Sequence, residues 1–266
     1  MIQDLIYNNP LWLVGSLVVI VPVILVCAAL RVFHRMVPHS AREAHNEHTS
    51  FTISAIGINY AVLVAFIAVA VWGSFDKATD VASKEAELVG DIFRDARGLG
   101  DPVAGPIREH LRNYVTIVIE EEWPAMARTE TPRAGWKPLE DIQDLMVAYR
   151  PQHGGQAAYM QEVLHQLNEL RDARRDRLAA AESGVEPVVW IIVLIGTALT
   201  VGFTFLLGMP SLRMHMLLTD GFTAATMLVL VLVIAFDWPF RGELQVAPSM
   251  FKSVQENITA LDARSK

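Results

Sequence analysis

The chain has 266 residues, 52% of them hydrophobic and only 19% charged, with a formal net charge of -7 and a mean hydropathy of +0.32. That balance excludes a collagen-like or disordered chain and does not suit an ordinary soluble domain. With no basic cluster to meet phosphates, nucleic acid is not an expected partner, and the single cysteine, Cys27, allows no intrachain disulfide.

The apolar residues fall in runs near Leu11 to Leu30, Phe51 to Trp72, Val188 to Leu207 and Leu217 to Phe236. Each is close to the roughly 20 residues that cross a bilayer core, so the expected fold is an all-α membrane protein with four transmembrane helices. A helical extramembrane bundle is inserted between the second and third. The expected divisions are 1–74 for the first helix pair, 75–187 for an acidic helical module, 188–236 for the second pair and 237–266 for a tail with a short amphipathic helix. A cleaved signal peptide does not fit the first run, which is long and lacks a positive flank.

Orientation is read from basic residues near the spans. Arg31, Arg35 and Arg42 follow the first run, whereas the first ten residues hold Asp4 and no Lys or Arg. This places the 32–49 loop in the cytoplasm of a bacterial inner membrane and the module in the periplasm. Arg241, Lys252, Arg264 and Lys266 in the tail argue the other way, so the inverted orientation stays open. The segment 75–187 holds 14 basic and 21 acidic residues and carries the whole net charge. Such a module would attract cations on its side of the membrane, although a solvated helical surface would have the same composition.

Within the module, glycine and proline clusters near Gly98, Pro132 and Gly154 separate four stretches of helical period. Their apolar faces carry Val81, Leu88, Ile92 and Phe93; Ile107, Leu111, Tyr114 and Val118; Leu139, Ile142 and Met146; and Val163, Leu167 and Leu170. No proline interrupts 46–88, so the second membrane helix is expected to run unbroken into the first module helix. In the tail, Val254, Ile258 and Leu261 define a helix that docks on the module or lies on the membrane surface.

No Walker loop, dinucleotide fingerprint, nucleophile elbow or paired cysteines are present, and an enzyme is not expected. The informative residues are polar ones in or beside the apolar runs, because lipid tolerates them only when they face protein or water. Asn46, Ser50, Ser54, Gly57, Ala61, Ala65 and Ala68 recur at steps of four and three along the second run, with Asn59 and Tyr60 flanking. This stripe either packs helices or lines a water path. Asp220 is the only acidic residue well inside a run, with Thr223 a turn later; repeated around an oligomer it would join Glu47 in a ring that passes cations, or it pairs locally with Arg213 or His215. The candidate pore-lining set is Asn46, Glu47, Ser50, Ser54, Gly57, Asn59, Ala61, Asp220 and Thr223. His45 and His48, spaced i, i+3 with Glu47 between them, form a weak metal motif. A solvated turn reads the same way.

Taken together, these features resemble the bacterial bestrophin-like family of membrane proteins of unknown function. The resemblance is carried by His45-Asn46, Gly57 with Tyr60 to Phe66 and Trp72, Glu85-Ala86 with Leu88, Arg112 and Tyr114, and Glu122-Trp123-Pro124. It continues through Arg174 to Leu178, Pro187 with Trp190, and Asp237-Trp238-Pro239-Phe240-Arg241-Gly242 with Pro248 and Phe251. It implies an oligomeric channel, since the family is named for a distant likeness to the bestrophins, which are homopentameric anion channels; no bestrophin pore motif matches here. The acidic module and carboxylates point instead to a homo-oligomeric, cation-conducting channel, permeable to divalent ions such as calcium. An anion channel and a non-conducting membrane scaffold are the alternatives. The expected partners are the bilayer, further copies of the chain and permeant ions. No cofactor is expected beyond a bound calcium or other cation.

Overall fold

The computed structural model describes residues 6–263 and contains helices but no strands among them. In chain order these are α1 (Leu11–Met36), α2 (His39–Glu43), α3 (Asn46–Asp95), α4 (Ala104–Ile117), α5 (Trp123–Ala127), α6 (Trp136–Ala148), α7 (Gly154–Glu182), α8 (Pro187–Thr204), α9 (Leu212–Phe236) and α10 (Ser249–Ala263). A 3-10 turn at Ala96–Leu99 closes α3, and a π-helical stretch at Val118–Glu122 joins α4 to α5. Four helical stretches among the described residues are long and apolar enough to cross a membrane; they contain α1, α3, α8 and α9. The protein is therefore a multi-pass membrane protein. Unbroken over 50 residues, α3 is about 75 Å long, far more than the roughly 30 Å hydrocarbon core requires.

The chain divides into two compact units. The membrane unit takes the chain up to Gly73, Gly184–Asp237 and Gly242–Leu244. Its buried apolar cluster is small: Tyr60 and Val64 of α3 meet Val193 of α8 and Met227 and Leu230 of α9. Gly196 permits the approach of α3 to α8, since a Cβ there would lie 2.7 Å from the Tyr60 ring. Most other large apolar side chains of this unit, such as Ile24, Leu25, Phe66 and Leu217, face outward, as lipid allows. Pro22 sits inside α1 without ending it.

Two polar clasps close the ends of the membrane unit. At one end Arg42, on the short α2 within the expected 32–49 loop, donates to the carbonyls of Phe205 (2.8 Å) and Leu207 (3.0 Å) and contacts His34 Nδ1 at 2.9 Å. The carbonyls at and just past the C-cap of α8, left without intrahelical donors, thus gain a cationic one. The Asn46 amide accepts from the Gly208 N–H (2.7 Å) and donates to the Gly208 carbonyl (3.0 Å). Gly208 is required here, because a Cβ would meet the Glu43 backbone nitrogen at 2.3 Å. At the other end Asp237 accepts from the Val185 N–H at 2.5 Å and hydrogen-bonds Trp190.

The helical unit comprises Ser74–Ser183, Trp238–Arg241 and Gln245–Lys266. Its core joins the later part of α3 (Ala82, Val89, Ile92, Phe93) to α4, α6 and α7 through Leu111, Ile142 and Leu167. The tail does not form a region of its own. Val246, Phe251 and Ile258 are buried in this core, and the Trp123 indole N–H donates to the Val246 carbonyl at 2.9 Å.

Candidate functional site

Two places concentrate polar side chains: the outward surface of α3 in the membrane unit and the centre of the helical unit. Within the membrane, α3 turns Tyr60, Val64 and Val71 inward. At about 100° per residue, Ser50, Ser54, Ala61 and Ala65 form one flank, roughly a quarter to a third of a turn from that seam. All four are exposed. Among the described residues nothing packs against α3 at Gly57, beside this flank, where a Cβ would meet nothing within 4 Å. Directly opposite the seam lie the bulky Phe51, Ile58, Val62 and Val69, also exposed. A path along α3 would therefore be polar for its first turns and apolar for the next ten or so residues.

The residues expected to line a path fare differently. Glu47, Ser50, Ser54, Asn59 and Ala61 are exposed, with Gly57 half-buried beside them. The Ser54 hydroxyl donates to the Ser50 carbonyl (2.9 Å) and the Asn59 amide to the Ala55 carbonyl (3.0 Å), so both groups bond back to their own helix. Asn59 lies about 140° around the helix from Ser54, on the other flank. Asn46 is taken up by Gly208, as described above. Tyr60 does not flank the stripe on the outside: it is buried, with its hydroxyl 2.5 Å from Thr197 Oγ1.

Three expectations are corrected. Thr223 is fully buried and donates to the Thr219 carbonyl at 2.7 Å, so it cannot face a path outside its own subunit. Asp220 does not pair with His215, whose Nε2 bonds the Thr204 carbonyl (2.9 Å). Its carboxylate is turned toward α1, where Cys27 hydrogen-bonds it and Arg31 acts on its charge. Among the described residues no group of three or more His, Cys, Asp and Glu could hold a metal ion. His45 and His48 are exposed ends of a single helical turn, and Glu47, between them in sequence, projects from a different face.

The second concentration is a buried charge network with five members: Glu85 (α3), Tyr114 (α4), Glu122 (the π stretch), and Arg174 and Arg177 (α7), all with no exposed surface. Arg174 grips Glu122 with two bonds of 2.6 Å. Arg177 reaches both carboxylates, bonding Glu85 at 2.6 and 3.0 Å and Glu122 at 2.7 Å. Glu122 also accepts from the Gly135 N–H (3.0 Å), and Tyr114 donates to Glu85. Aromatic faces complete the shell, with Arg174 4.8 Å from the Trp136 ring and Arg177 5.1 Å from Trp123.

Two carboxylates against two guanidiniums leave the network neutral, the condition under which such burial is tolerable. Burial pushes the Glu122 carboxyl upward, but hydrogen bonds from Arg174 and the charge of Arg177 outweigh it and hold the group below its ordinary range. Burial also opposes the charge on Arg177; the Glu85 carboxylate outweighs it, and the guanidinium is held above its ordinary value. Burial, then Glu85, raises Tyr114 well above the usual phenol range, so it remains a donor. Glu122 closes the π stretch on the same buried side as Leu111, Val115 and Val118.

In the sequence these residues belong to the family pattern, and no local motif assigns them a role. The available signal was register: Glu85 stands between Ala82 and Leu88 on an apolar face, and Arg174 and Arg177 continue the face of Leu167 and Leu170. Charges at core positions of three different segments imply one another.

An all-helical, four-span membrane protein with an inserted helical unit is the class this architecture defines. The family model of the Bestrophin-like domain matches residues 20–251. The chain belongs to the bestrophin-like family. Among solved structures it is similar to a substituted variant of a bacterial bestrophin homologue from Klebsiella pneumoniae, at 13% identity and a TM-score of 0.66 over 90% of this chain and 98% of that one. A second variant of that homologue gives 13% identity and a TM-score of 0.67 over the same shares. Another crystal structure, described only as a membrane protein, gives 15% identity and a TM-score of 0.63 over 91% of this chain and 98% of the other. These likenesses concern the fold. No curated protein matches the sequence.

Proposed function

We propose that the chain assembles with copies of itself into an ion channel whose path runs along the outward surface of α3, and that it passes cations, divalent calcium among them. The observation that carries this reading is the unoccupied flank of α3. Glu47, Ser50 and Ser54 are exposed along it on a membrane helix, and lipid is a costly neighbour for such groups. Water or another copy of the chain is not. Glu47 at the mouth and the acidic helical unit favour cations; Asp220 and Thr223, turned inward, have no part in the path. Ile58, Val62 and Val69 would form an apolar constriction that passes ions only when wetted.

The test is current from purified protein in bilayers under asymmetric KCl and then CaCl2 gradients. Cation conduction gives a reversal potential at the cation equilibrium value, shifted toward zero selectivity by Glu47→Gln, while Val62→Ser raises the current. A reversal potential at the chloride value replaces this reading with an anion channel. Silence from well-folded oligomers replaces it with a scaffold in which the stripe of Ser54 and Gly57 only packs subunits. In that case Leu at both positions abolishes assembly.

The same reading places the protein in a bacterial inner membrane with the helical unit periplasmic. Arg42 is engaged with carbonyls at the end of α8, so this orientation rests on Arg31 and Arg35. Cysteine at Ala127 in a Cys27→Ser background, labelled by an impermeant maleimide from outside, supports it; labelling only after lysis inverts it.

A further inference from the structure

The membrane unit contains a groove of about 630 Å³ between α1, α8 and α9 that none of the functional residues above uses. Met227 and Leu230 floor it, while Leu17, Val21, Pro22 and Leu194 form its walls and rim. Its polar groups gather at one end, where Tyr7, Trp190 and Asp237 stand. There the Tyr7 hydroxyl donates to the Ile234 carbonyl at 3.0 Å, and Asp237 is held by the Val185 N–H and Trp190.

We propose that this groove is a binding site for one phospholipid acyl chain, taken from the leaflet that borders Asp237. Its length argues for this occupant. Along α9 the lining runs from Met227 to Asp237, about 15 Å at the helical rise, which is half of the roughly 30 Å hydrocarbon core. Polarity argues for it as well. The groove is apolar along its depth and polar where α9 ends, so an extended chain lies among Val21, Leu194 and Met227 with its ester and headgroup beside Tyr7 and Trp190. Such amphipathic rings belong at the membrane interface. The rim residues Leu17, Val21 and Leu194 are about half exposed, at 54%, 46% and 57%, so the groove opens sideways to the surrounding hydrocarbon and a chain enters without the helices parting. Its volume suits a single ligand of this size. The Asp237 carboxylate at the polar end disfavours an anionic headgroup.

The full-length protein, reconstituted in phosphatidylcholine vesicles doped with a phosphatidylcholine bearing a diazirine on its acyl chain, is photolysed and digested for peptide mapping. Label concentrated on Leu17–Pro22 and Met227–Ile234, several-fold above Ile24, Leu25 and Leu217, is the expected result. Leu194→Trp fills the groove from its exposed rim and should reduce that label at least five-fold. Leu25→Trp, on the outer face of α1, should leave it unchanged, and both variants should keep the wild-type elution volume. Uniform label over all outward apolar residues means ordinary surrounding lipid and overturns the proposal. It also fails if Leu194→Trp alters the oligomeric state while the groove peptides stay unlabelled, which assigns the groove to a second copy. Replacing the probe by its phosphatidylglycerol counterpart should lower the groove label; an unchanged yield overturns the headgroup preference.

Discussion

The two units place polar atoms in their interiors by opposite means. In the membrane unit the buried hydroxyls of Thr200, Thr204 and Thr223 bond carbonyls of their own helices. Each is satisfied locally and demands little from elsewhere in the chain. In the helical unit the charges of Glu85, Glu122, Arg174 and Arg177 are balanced by one another across three separate segments. Apolar groups reverse the pattern. The helical unit buries nearly all of its large hydrophobics, leaving Val147, Tyr159 and Met250 exposed, whereas the membrane unit turns most of its own outward. With no water to drive collapse in lipid, helix pairing rests on close contact and a few polar clasps. In water the same chain uses hydrophobic burial, and a charge network then fixes which segments meet.

The comparison is broken most severely by removing one charge from the network. Arg177→Met leaves Glu85 and half of Glu122 buried without a cation and is expected to destabilise the helical unit by about 3–5 kcal/mol. It should appear as a lost or much earlier thermal transition while the membrane helices keep their circular dichroism signal. Glu85→Leu combined with Arg177→Met should recover part of the loss, since a neutral apolar pair is better than an orphaned carboxylate. Recovery beyond wild type would mean that the network specifies register at a cost in stability.

A clasp in the membrane unit should matter less. Gly208→Val drives a side chain into the Glu43 backbone and should cost about 1–3 kcal/mol, read as a lower midpoint of detergent-induced unfolding. Asn46→Leu, which leaves both Gly208 groups unpaired, should cost about the same. A wild-type midpoint for both would show that the turn is held by Arg42 alone.

Acid tests the same contrast. Because Glu122 is held below its ordinary range when folded, its contribution is fully present above the unfolded carboxylate value, about 4.3, and is lost as pH falls through the lower folded value. Melting of the helical unit should therefore be unchanged from neutral pH to about 5 and drop only below the normal carboxylate range. A fall already at pH 6 would mean that another group dominates. The smallest effect is expected from Thr200→Val, about 0.6 kcal/mol, since its hydroxyl bonds the Gly196 carbonyl of its own helix at 2.7 Å.

The sequence by itself determined the four spans, the helices of the inserted unit and the unbroken α3. Each follows from local period and composition: runs of apolar residues long enough for lipid, faces repeating at 3.6, and glycine and proline at the breaks. The tail pattern Val254, Ile258 and Leu261 specified a helix but not its partner. Only tertiary structure decided that this helix joins the core of the helical unit beside Trp123, that Thr223 and Asp220 turn inward, and that Asn46 is bound to Gly208. It likewise brought the charges of α3, the π stretch and α7 together. The reason is physical. A helical period fixes which residues share a face, but more than one face of α3 and of α9 carries apolar residues that suit lipid or protein equally, so pattern cannot say which one turns inward. In the helical unit the pairing of Glu85 with Arg177, 92 positions apart, exists only once four segments have met.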